Sequence, residues 1–220
     1  MKKHIILVKL IVLTLIGSAQ KLQLTEAATE FRNNYNSSWI SIPDSTLRST
    51  QLAKHTPTLI KAKKAIDESY AKQLQTPFVK SKDETKMYFY RAVIYLDYWM
   101  MSSYNSSIFN EVSAYGEEKM KETTFGSFSK CLELDIKKQW TSDIKNKMMT
   151  YRNQSINVGV DNFIKKNYEN AFSSFKMAIE MYNILSLTDT LAMINAALSS
   201  EKMKKTDEAF KYYKMCADNN

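Results

Sequence analysis

The chain has 220 residues, a formal net charge of +8 and only four glycines and three prolines. Because glycine and proline both break helices, their scarcity favours regular helix with short connections. An aromatic content of 12% argues against a disordered chain, since it allows a real apolar core. The basic residues are scattered among Asp and Glu, so no continuous positive patch indicates a nucleic-acid partner.

The first 19 residues have the layout of a secretory signal peptide. Two lysines precede an apolar run over residues 5–16, and three small residues follow, ending at Ala19. This order predicts export, to the periplasm or outside the cell, with cleavage after Ala19. The run is shorter than the roughly 20 residues that cross a bilayer, so we expect no integral membrane span. An uncleaved N-terminal anchor is the alternative.

Residues 20–80 are predicted to form an N-terminal helical segment that leads into the rest of the fold and contains a partial repeat. We expect a short helix over residues 24–35, a loop over 33–44 and more helix over 46–53. Pro57 suits the first turn of a helix, so a separate helix is expected to start there.

A strongly apolar helix is predicted after Ser81, because Ser81 and Glu84 form a capping box. Aromatic and apolar residues, with Tyr88 and Ala92 among them, occupy more than one face of this helix. Such a helix is usually buried between neighbours, although an aromatic binding wall is the alternative.

A motif over residues 124–135 resembles one that occurs later in the chain. With the preceding apolar helix it predicts a degenerate helical hairpin over 81–135. The pattern is interrupted by an inserted loop over 102–118. Long insertions of this kind are often functional, so the loop is either a contact site or a surface embellishment.

The clearest feature of the chain is a segment that occurs twice, 38 residues apart. Residues 167–182 (NYENAFSSFKMAIEMY) correspond to residues 205–220 (KTDEAFKYYKMCADNN). A fixed offset of this size indicates stacked helical hairpins rather than one closed globule.

This pattern resembles the tetratricopeptide repeat, which has about 34 residues in two antiparallel helices. The positions that carry the resemblance, together with Tyr88 and Ala92 of the degenerate hairpin, are Gly159, Tyr168, Ala171, Phe175, Ala178, Ala197, Ala209, Tyr213 and Cys216. Small residues are expected where helices cross closely, and rings are expected between hairpins. The period of 38 and the missing closing proline depart from the family pattern.

The resemblance implies repeats over 141–186 and 187–220. It also implies an all-α fold, in which antiparallel helix hairpins form a short superhelical array, a tetratricopeptide-like α-solenoid. The layout is similar to that of exported bacterial tetratricopeptide-repeat proteins.

The first helices of the hairpins are expected to line an inner groove. Its candidate residues are Phe89, Val93, Asn153, Ile156, Asn157, Val160, Phe163, Ile164 and Asn195. An apolar wall with amide edges suits an extended peptide or a partner helix. Alternatively, some of these residues pack against neighbouring repeats. A carboxylate clamp for chaperone tails is not implied, because Phe89 and Val93 stand where Lys and Asn would be expected.

The last predicted helix ends at Ala217 with no polar helix after it, whereas repeat arrays normally finish with one. Tyr213 and Cys216 lie near that end. We therefore expect a second subunit or a partner to cover the C-terminal helix, unless the chain is a shortened relative of longer arrays.

No pattern in the sequence predicts a catalytic residue, a metal site or a cofactor. His55 is the single histidine beyond the signal peptide, and no nucleophile motif accompanies it. Cys131 and Cys216 are expected to be buried thiols, because a whole repeat lies between them and a disulfide needs Cα atoms within about 7 Å.

The sequence therefore predicts a non-enzymatic, exported scaffold that mediates protein–protein contacts in the cell envelope. The alternatives are an oligomerising structural subunit and a glycan-handling accessory protein.

Overall fold

A computed structural model of the chain describes residues 18–35, 39, 42, 45–78, 80–102 and 104–219. Within these ranges every regular element is a helix and no strand occurs. The predicted all-α class is confirmed. Most of the predicted signal peptide, residues 1–17, lies outside the described residues.

The chain divides into two compact units, Met1–Trp140 and Thr141–Asn220. We call them the first unit and the second unit and describe each by itself. The second unit begins at the residue where the first of the two clear repeats was placed from the sequence.

The first unit is built around helix α3. Helix α1 occupies residues 18–29 and passes into a π-helical turn, Glu30–Asn34. The other helices are α2 (Ser45–Gln75), α3 (Ser81–Ser102), α4 (Ser106–Tyr115) and α5 (Glu117–Leu134). Helix α3 packs against α2, α4 and α5. Because it is buried between these three neighbours, it is apolar on several faces.

Helix α1 docks by both apolar and polar contacts. Leu24 and Ala27 are buried, as helical spacing on one face predicts. Gln20 is also buried, and its Nε2 donates to Oε1 of Gln73 on α2 at 3.0 Å. Ala19 and Gln20 both lie within α1, so the predicted cleavage point falls inside this helix.

The prediction that a helix starts at Pro57 is wrong, since Pro57 lies inside the continuous helix α2. A proline leaves the carbonyl four residues earlier without its helical donor. That carbonyl belongs to Ala53, which is exposed and can bond to water. Leu52 and Leu59 are buried on either side of the proline, so packing holds the helix together across it.

The prediction of a loop over 102–118 is also wrong, because most of this segment is helix α4. The side chain of Asn105 caps it, accepting the N–H groups of Ser107 and Ile108, each at 3.1 Å. Ile108 and Val112 are the buried residues on its inner face. The polar residues that suggested a loop are therefore an N-cap and the exposed face of an amphipathic helix.

The second unit contains α6 (Thr141–Ile164), α7 (Tyr168–Ile184), α8 (Thr190–Lys202) and α9 (Thr206–Ala217). Each of these helices packs against the next. Their buried cluster comprises Ile156, Ala171, Phe172, Phe175, Ala178, Ile179, Ala192, Met193, Ala196, Ala197, Tyr212 and Cys216.

The three turns of the second unit share one backbone conformation. Each has a residue with positive φ after the helix: Lys166 (63°), Ser186 (55°) and Lys204 (61°). In each turn the next N–H bonds back five residues, closing a Schellman motif. These bonds are Asn167 to Asn162 (2.9 Å), Leu187 to Tyr182 (3.0 Å) and Lys205 to Ser200 (2.9 Å). Lys166 and Lys204 are 38 residues apart, so the sequence period is also a period of the backbone.

Candidate partner-binding surface

Exposed apolar side chains concentrate on two helices of the second unit. Among its described residues, the large apolar side chains that are exposed are Met149, Val160, Ile164, Leu187, Leu191, Ile194 and Phe210. All except Phe210 lie on α6, on α8 or in the turn that leads into α8.

These side chains fall into two stripes with helical spacing. The α6 stripe consists of Met149, Asn153, Asn157, Val160 and Ile164, and the α8 stripe consists of Leu187, Leu191, Ile194, Asn195 and Leu198. Most members correspond across the 38-residue period, as Met149 does to Leu187 and Asn157 to Asn195. Met149 and Leu187 are both exposed, as are Asn153 and Leu191, whereas Asn195 and Leu198 are half-buried although their counterparts Asn157 and Val160 are exposed.

Five of the predicted groove residues belong to these stripes. Asn153, Asn157, Val160 and Ile164 are exposed, and Asn195 is half-buried. Ile164 is the most open of them, with 72% of its surface accessible.

The other four predicted groove residues are corrected by the structure. Ile156 belongs to the buried cluster of the second unit, and Phe163 packs against that cluster. Val93 is buried in the first unit, and Phe89 is buried with its ring stacked on Trp140 at 4.4 Å between centroids. Phe89 and Val93 on α3, and Ile156 and Phe163 on α6, therefore pack against other side chains of their own units.

The positions that carry the tetratricopeptide resemblance are mostly in the core. Those that are buried are Ala92, Gly159, Ala171, Phe175, Ala178, Ala197, Ala209 and Cys216. Tyr88, Tyr168 and Tyr213 are half-buried. Small buried residues thus occupy the places where the resemblance implies close helix crossings.

The asparagines on the stripes have hydrogen-bonding capacity beyond their bonds within the protein. Oδ1 of Asn153 accepts from Arg152 at 3.1 Å, and Nδ2 of Asn195 donates to the carbonyl of Leu191 at 2.8 Å. A carboxamide carries both donors and acceptors, so each bond uses only part of the group. An amide of this kind can pair with the backbone of a bound peptide.

An ion pair between half-buried Arg152 and buried Asp189 links α6 to the start of α8. The guanidinium of Arg152 donates to both carboxylate oxygens of Asp189, at 2.6 and 2.7 Å. Asp189 also caps α8 by accepting the N–H of Ala192 at 3.1 Å, and it is only 3% exposed. Hydrogen bonding to this carboxylate raises the pKa of Arg152. The pair holds the two stripes in a defined register.

Sequence reasoning missed this ion pair, because its partners are 37 residues apart. One local signal was present. Asp189 precedes Thr190 and an apolar segment, which is a typical N-cap position.

The tyrosines of α3 are enclosed by their own unit. The hydroxyl of Tyr95 donates to Oδ1 of Asp67 at 2.6 Å, and that of Tyr98 donates to Glu111. Both tyrosines are buried, and burial is the main cause of their raised pKa values. Burial of α3 between its neighbours is therefore confirmed, and these two rings do not form an open aromatic wall.

The remaining candidate chemical groups are buried. His55 lies edge-on to Tyr35, with 5.8 Å between ring centroids, and burial followed by the nearby Lys54 lowers its pKa. Cys131 and Cys216 are both buried, as predicted. Burial raises the pKa of Cys131 to about 12. Among the described residues, no three His, Cys, Asp or Glu side chains converge on a point that could hold a metal.

Comparison of the chain with protein-family models, with curated proteins and with solved structures finds no match. In the described part of the chain, no helix combines the length and the apolar character needed to cross a membrane.

Proposed function

We propose that this protein is a non-enzymatic scaffold whose second unit binds an apolar segment of another protein along the α6 and α8 stripes. The observation that carries the proposal is the pair of apolar and amide stripes on neighbouring parts of the second unit, in which Met149 and Asn153 are exposed and so are their counterparts Leu187 and Leu191. Contiguous exposed apolar patches often mark sites of protein–protein contact.

The chemistry of the stripes favours a peptide or helix as the ligand. Their members are aliphatic residues and asparagines, and none carries a charge. Burying apolar surface contributes about 25 cal/mol per Å², so a few aliphatic side chains can anchor a partner segment. The asparagines can then satisfy the polar backbone that an extended segment brings with it.

The architecture we propose for this role is a tetratricopeptide-like array of antiparallel hairpins. Three features of the second unit support it: the equivalent turns at Lys166 and Lys204, the buried small residues, and the packing of each helix on the next. Arrays of this kind present repeated helix faces to their ligands.

We also propose that the protein acts after export, in the cell envelope. The basis is the signal-peptide layout of residues 1–19. Fractionation of cells that produce the chain would test this, together with the mass of the purified protein. A protein that stays in the cytoplasm with residues 1–19 attached contradicts the proposed location.

Site-directed photocrosslinking tests the binding surface. A photoreactive residue is placed at Val160 or at Leu191, and an equivalent one at Ser173, which is exposed on α7. The first two are expected to capture the same protein from envelope material, and the third is not.

The captured protein is then tested for binding to point variants. Val160→Asp and Leu191→Asp are each expected to weaken binding about tenfold or more, because each places a charge in an apolar contact. Ser173→Asp is the matched control. Equal effects from all three variants, with circular dichroism showing that all three fold, would refute the proposed surface.

A further inference from the structure

Helix α3 carries a cation that has no acidic partner. Arg91 is half-buried, and no carboxylate of the described residues forms an ion pair with its guanidinium. Both of its hydrogen bonds come from Nη1, which donates to Oγ of Ser127 at 2.8 Å and to the carbonyl of Thr123 at 3.4 Å. Nε is buried and has no acceptor among the described residues. Because burying an unpaired charge is costly, a bound anion would stabilise this arrangement.

The guanidinium of Arg91 is held against two tyrosine rings. Its Cζ lies 3.9 Å from the ring centroid of Tyr70 on α2 and 5.3 Å from that of Tyr95 on α3. These cation–π contacts and the bonds to α5 fix the plane of the group. A guanidinium that is already ordered loses little conformational entropy when it binds a ligand.

Two tyrosine hydroxyls beside Arg91 can also reach a ligand. The rings of Tyr70 and Tyr88 meet edge-on with 6.3 Å between centroids, and both side chains are half-buried. Neither hydroxyl has a hydrogen-bond partner among the described residues. Tyr88 and Arg91 are three residues apart on α3, so they project from the same face of the helix. This face therefore combines one guanidinium with two unused hydroxyl donors.

Two lysines near this cluster are already paired with acids. Nζ of Lys63 lies 2.9 Å from Oδ2 of Asp67, and Nζ of Lys130 lies 2.7 Å from Oε1 of Glu133. Arg91 thus supplies one positive charge that these acids do not neutralise by direct contact.

One positive charge favours a ligand with one negative charge. A carboxylate carries one, and its two oxygens match two N–H groups of a guanidinium. A phosphate monoester carries about 1.5 to 2 negative charges at pH 7. The extra charge would be repelled by Glu84, which precedes Arg91 by about two turns on the same face of α3. The rings of Tyr70 and Tyr88 offer apolar contact to the rest of the ligand.

We propose that Arg91, Tyr70 and Tyr88 form a binding site for a small monocarboxylate with a planar, apolar body. The carboxylate accepts hydrogen bonds from the guanidinium and from the tyrosine hydroxyls, and the body of the ligand lies against the rings. The site belongs to the first unit. It is separate from the α6 and α8 stripes, so the inference does not rest on the proposed partner surface.

Benzoate is the probe, because it joins one carboxylate to one apolar ring. The purified protein is titrated with benzoate while the backbone amide signals are followed by NMR. The amides around Arg91 on α3 and Ser127 on α5 should shift saturably, with a dissociation constant on the order of 1 mM for a ligand of this size. Benzamide has the same shape without the charge and should bind about tenfold more weakly or worse. Inorganic phosphate should also bind more weakly than benzoate.

Conservative variants test the contacts one by one. Tyr88→Phe keeps the ring and should raise the dissociation constant about threefold to tenfold, because it removes one hydroxyl donor. Arg91→Lys keeps the charge but loses the planar fork, and should raise it about tenfold or more. Tyr168→Phe, at a half-buried tyrosine of α7, is the control and should leave benzoate binding unchanged. Circular dichroism checks that each variant folds.

Three results would overturn the proposal. They are the absence of a saturable shift around Arg91 at about 10 mM benzoate, equal binding of benzamide, and benzoate binding that Tyr88→Phe leaves unchanged. Tyr88→Phe decides the matter even where Arg91→Lys does not fold. Val160→Asp should preserve benzoate binding, and Tyr88→Phe should preserve binding of the captured protein, so failure of this site and failure of the partner surface are distinguishable.

Discussion

The ring of Phe175 rests directly on Gly159. A Cβ atom at Gly159 would lie 2.5 Å from a ring carbon of Phe175, which is closer than real Cβ atoms approach other atoms. Phe175 is fully buried, so its ring has no free space into which to move. In the second copy Ala197 and the half-buried Tyr213 occupy the same two positions. The missing side chain at Gly159 is therefore what allows a complete ring to fill the core between α6 and α7.

Gly159→Ala should destabilise the protein by about 1–3 kcal/mol, because the added methyl overlaps the ring. The measurement is urea unfolding. Gly126→Ala is the matched control: Gly126 is exposed within α5 and a Cβ there meets nothing within 4 Å. That change should stabilise the first unit by up to about 1 kcal/mol. Combining Gly159→Ala with Phe175→Leu should recover part of the loss, and strict additivity of the two changes would contradict the overlap.

Asp189→Ala should cost about 2–3 kcal/mol, because it removes the cap of α8 and leaves the half-buried Arg152 without its carboxylate. Side-chain exposures of 15% for Arg152 and 2% for Asp189 show that this pair is largely shielded from water. Lys205→Ala serves as the comparison, since the Lys205–Glu169 pair is exposed and contributes close to nothing. Thermal unfolding of both variants distinguishes the two kinds of ion pair, and similar losses would show that burial of Asp189 is unimportant.

The stability of the first unit should fall as the pH drops from about 7 to about 5. This range contains the ordinary pKa of histidine. Burial and Lys54 lower the pKa of His55 in the folded protein. The unfolded chain therefore binds a proton at a higher pH than the folded one does, and acid favours unfolding. In a chain that starts at Gln20, His55 is the single histidine.

His55→Gln should reduce this dependence. The free energy of unfolding is measured at both ends of the range for the two proteins. An identical loss on acidification in the variant would assign the effect to carboxylates instead of His55.

The two cysteines should be unreactive toward a thiol reagent at about pH 8 while the protein is folded, since the pKa of Cys131 is raised to about 12 and both thiols are buried. Unfolding without a reductant should release two titratable thiols. Because the folded pKa is raised, the contribution of Cys131 to stability is complete below about pH 8.5 and declines as the pH rises toward 12. A thiol count below two in the unfolded protein would instead indicate a disulfide.

Several elements show why local patterns predicted some features and missed others. The 38-residue period placed the equivalent small residues of α7 and α9 correctly, because helical spacing and residue size are local properties. The same reasoning wrongly predicted a helix start at Pro57, inside α2, and a loop in place of α4. In both cases burial of apolar residues on a neighbouring helix outweighs the local preference, and that burial is not visible in a short stretch of sequence.

For the candidate surface, too, the sequence pattern predicted some residues and missed others. Periodicity identified four exposed members of the α6 stripe and missed Met149. It also could not separate those four from Ile156 and Phe163 on the same helix. Those two differ only in which neighbours they meet. The exposure of Phe210 could not be foreseen either, because its repeat counterpart Phe172 is covered by Tyr212 from the next helix pair.

Composition and periodicity by themselves determined that this chain is helical and that its last 80 residues repeat one design, since both follow from the spacing of small and apolar side chains. Tertiary structure alone decided which side chains are covered, which charges pair across 37 residues, and where the chain leaves apolar faces open. The physical reason is that exposure and ion pairing depend on residues that are distant in sequence and become neighbours only when the helices pack.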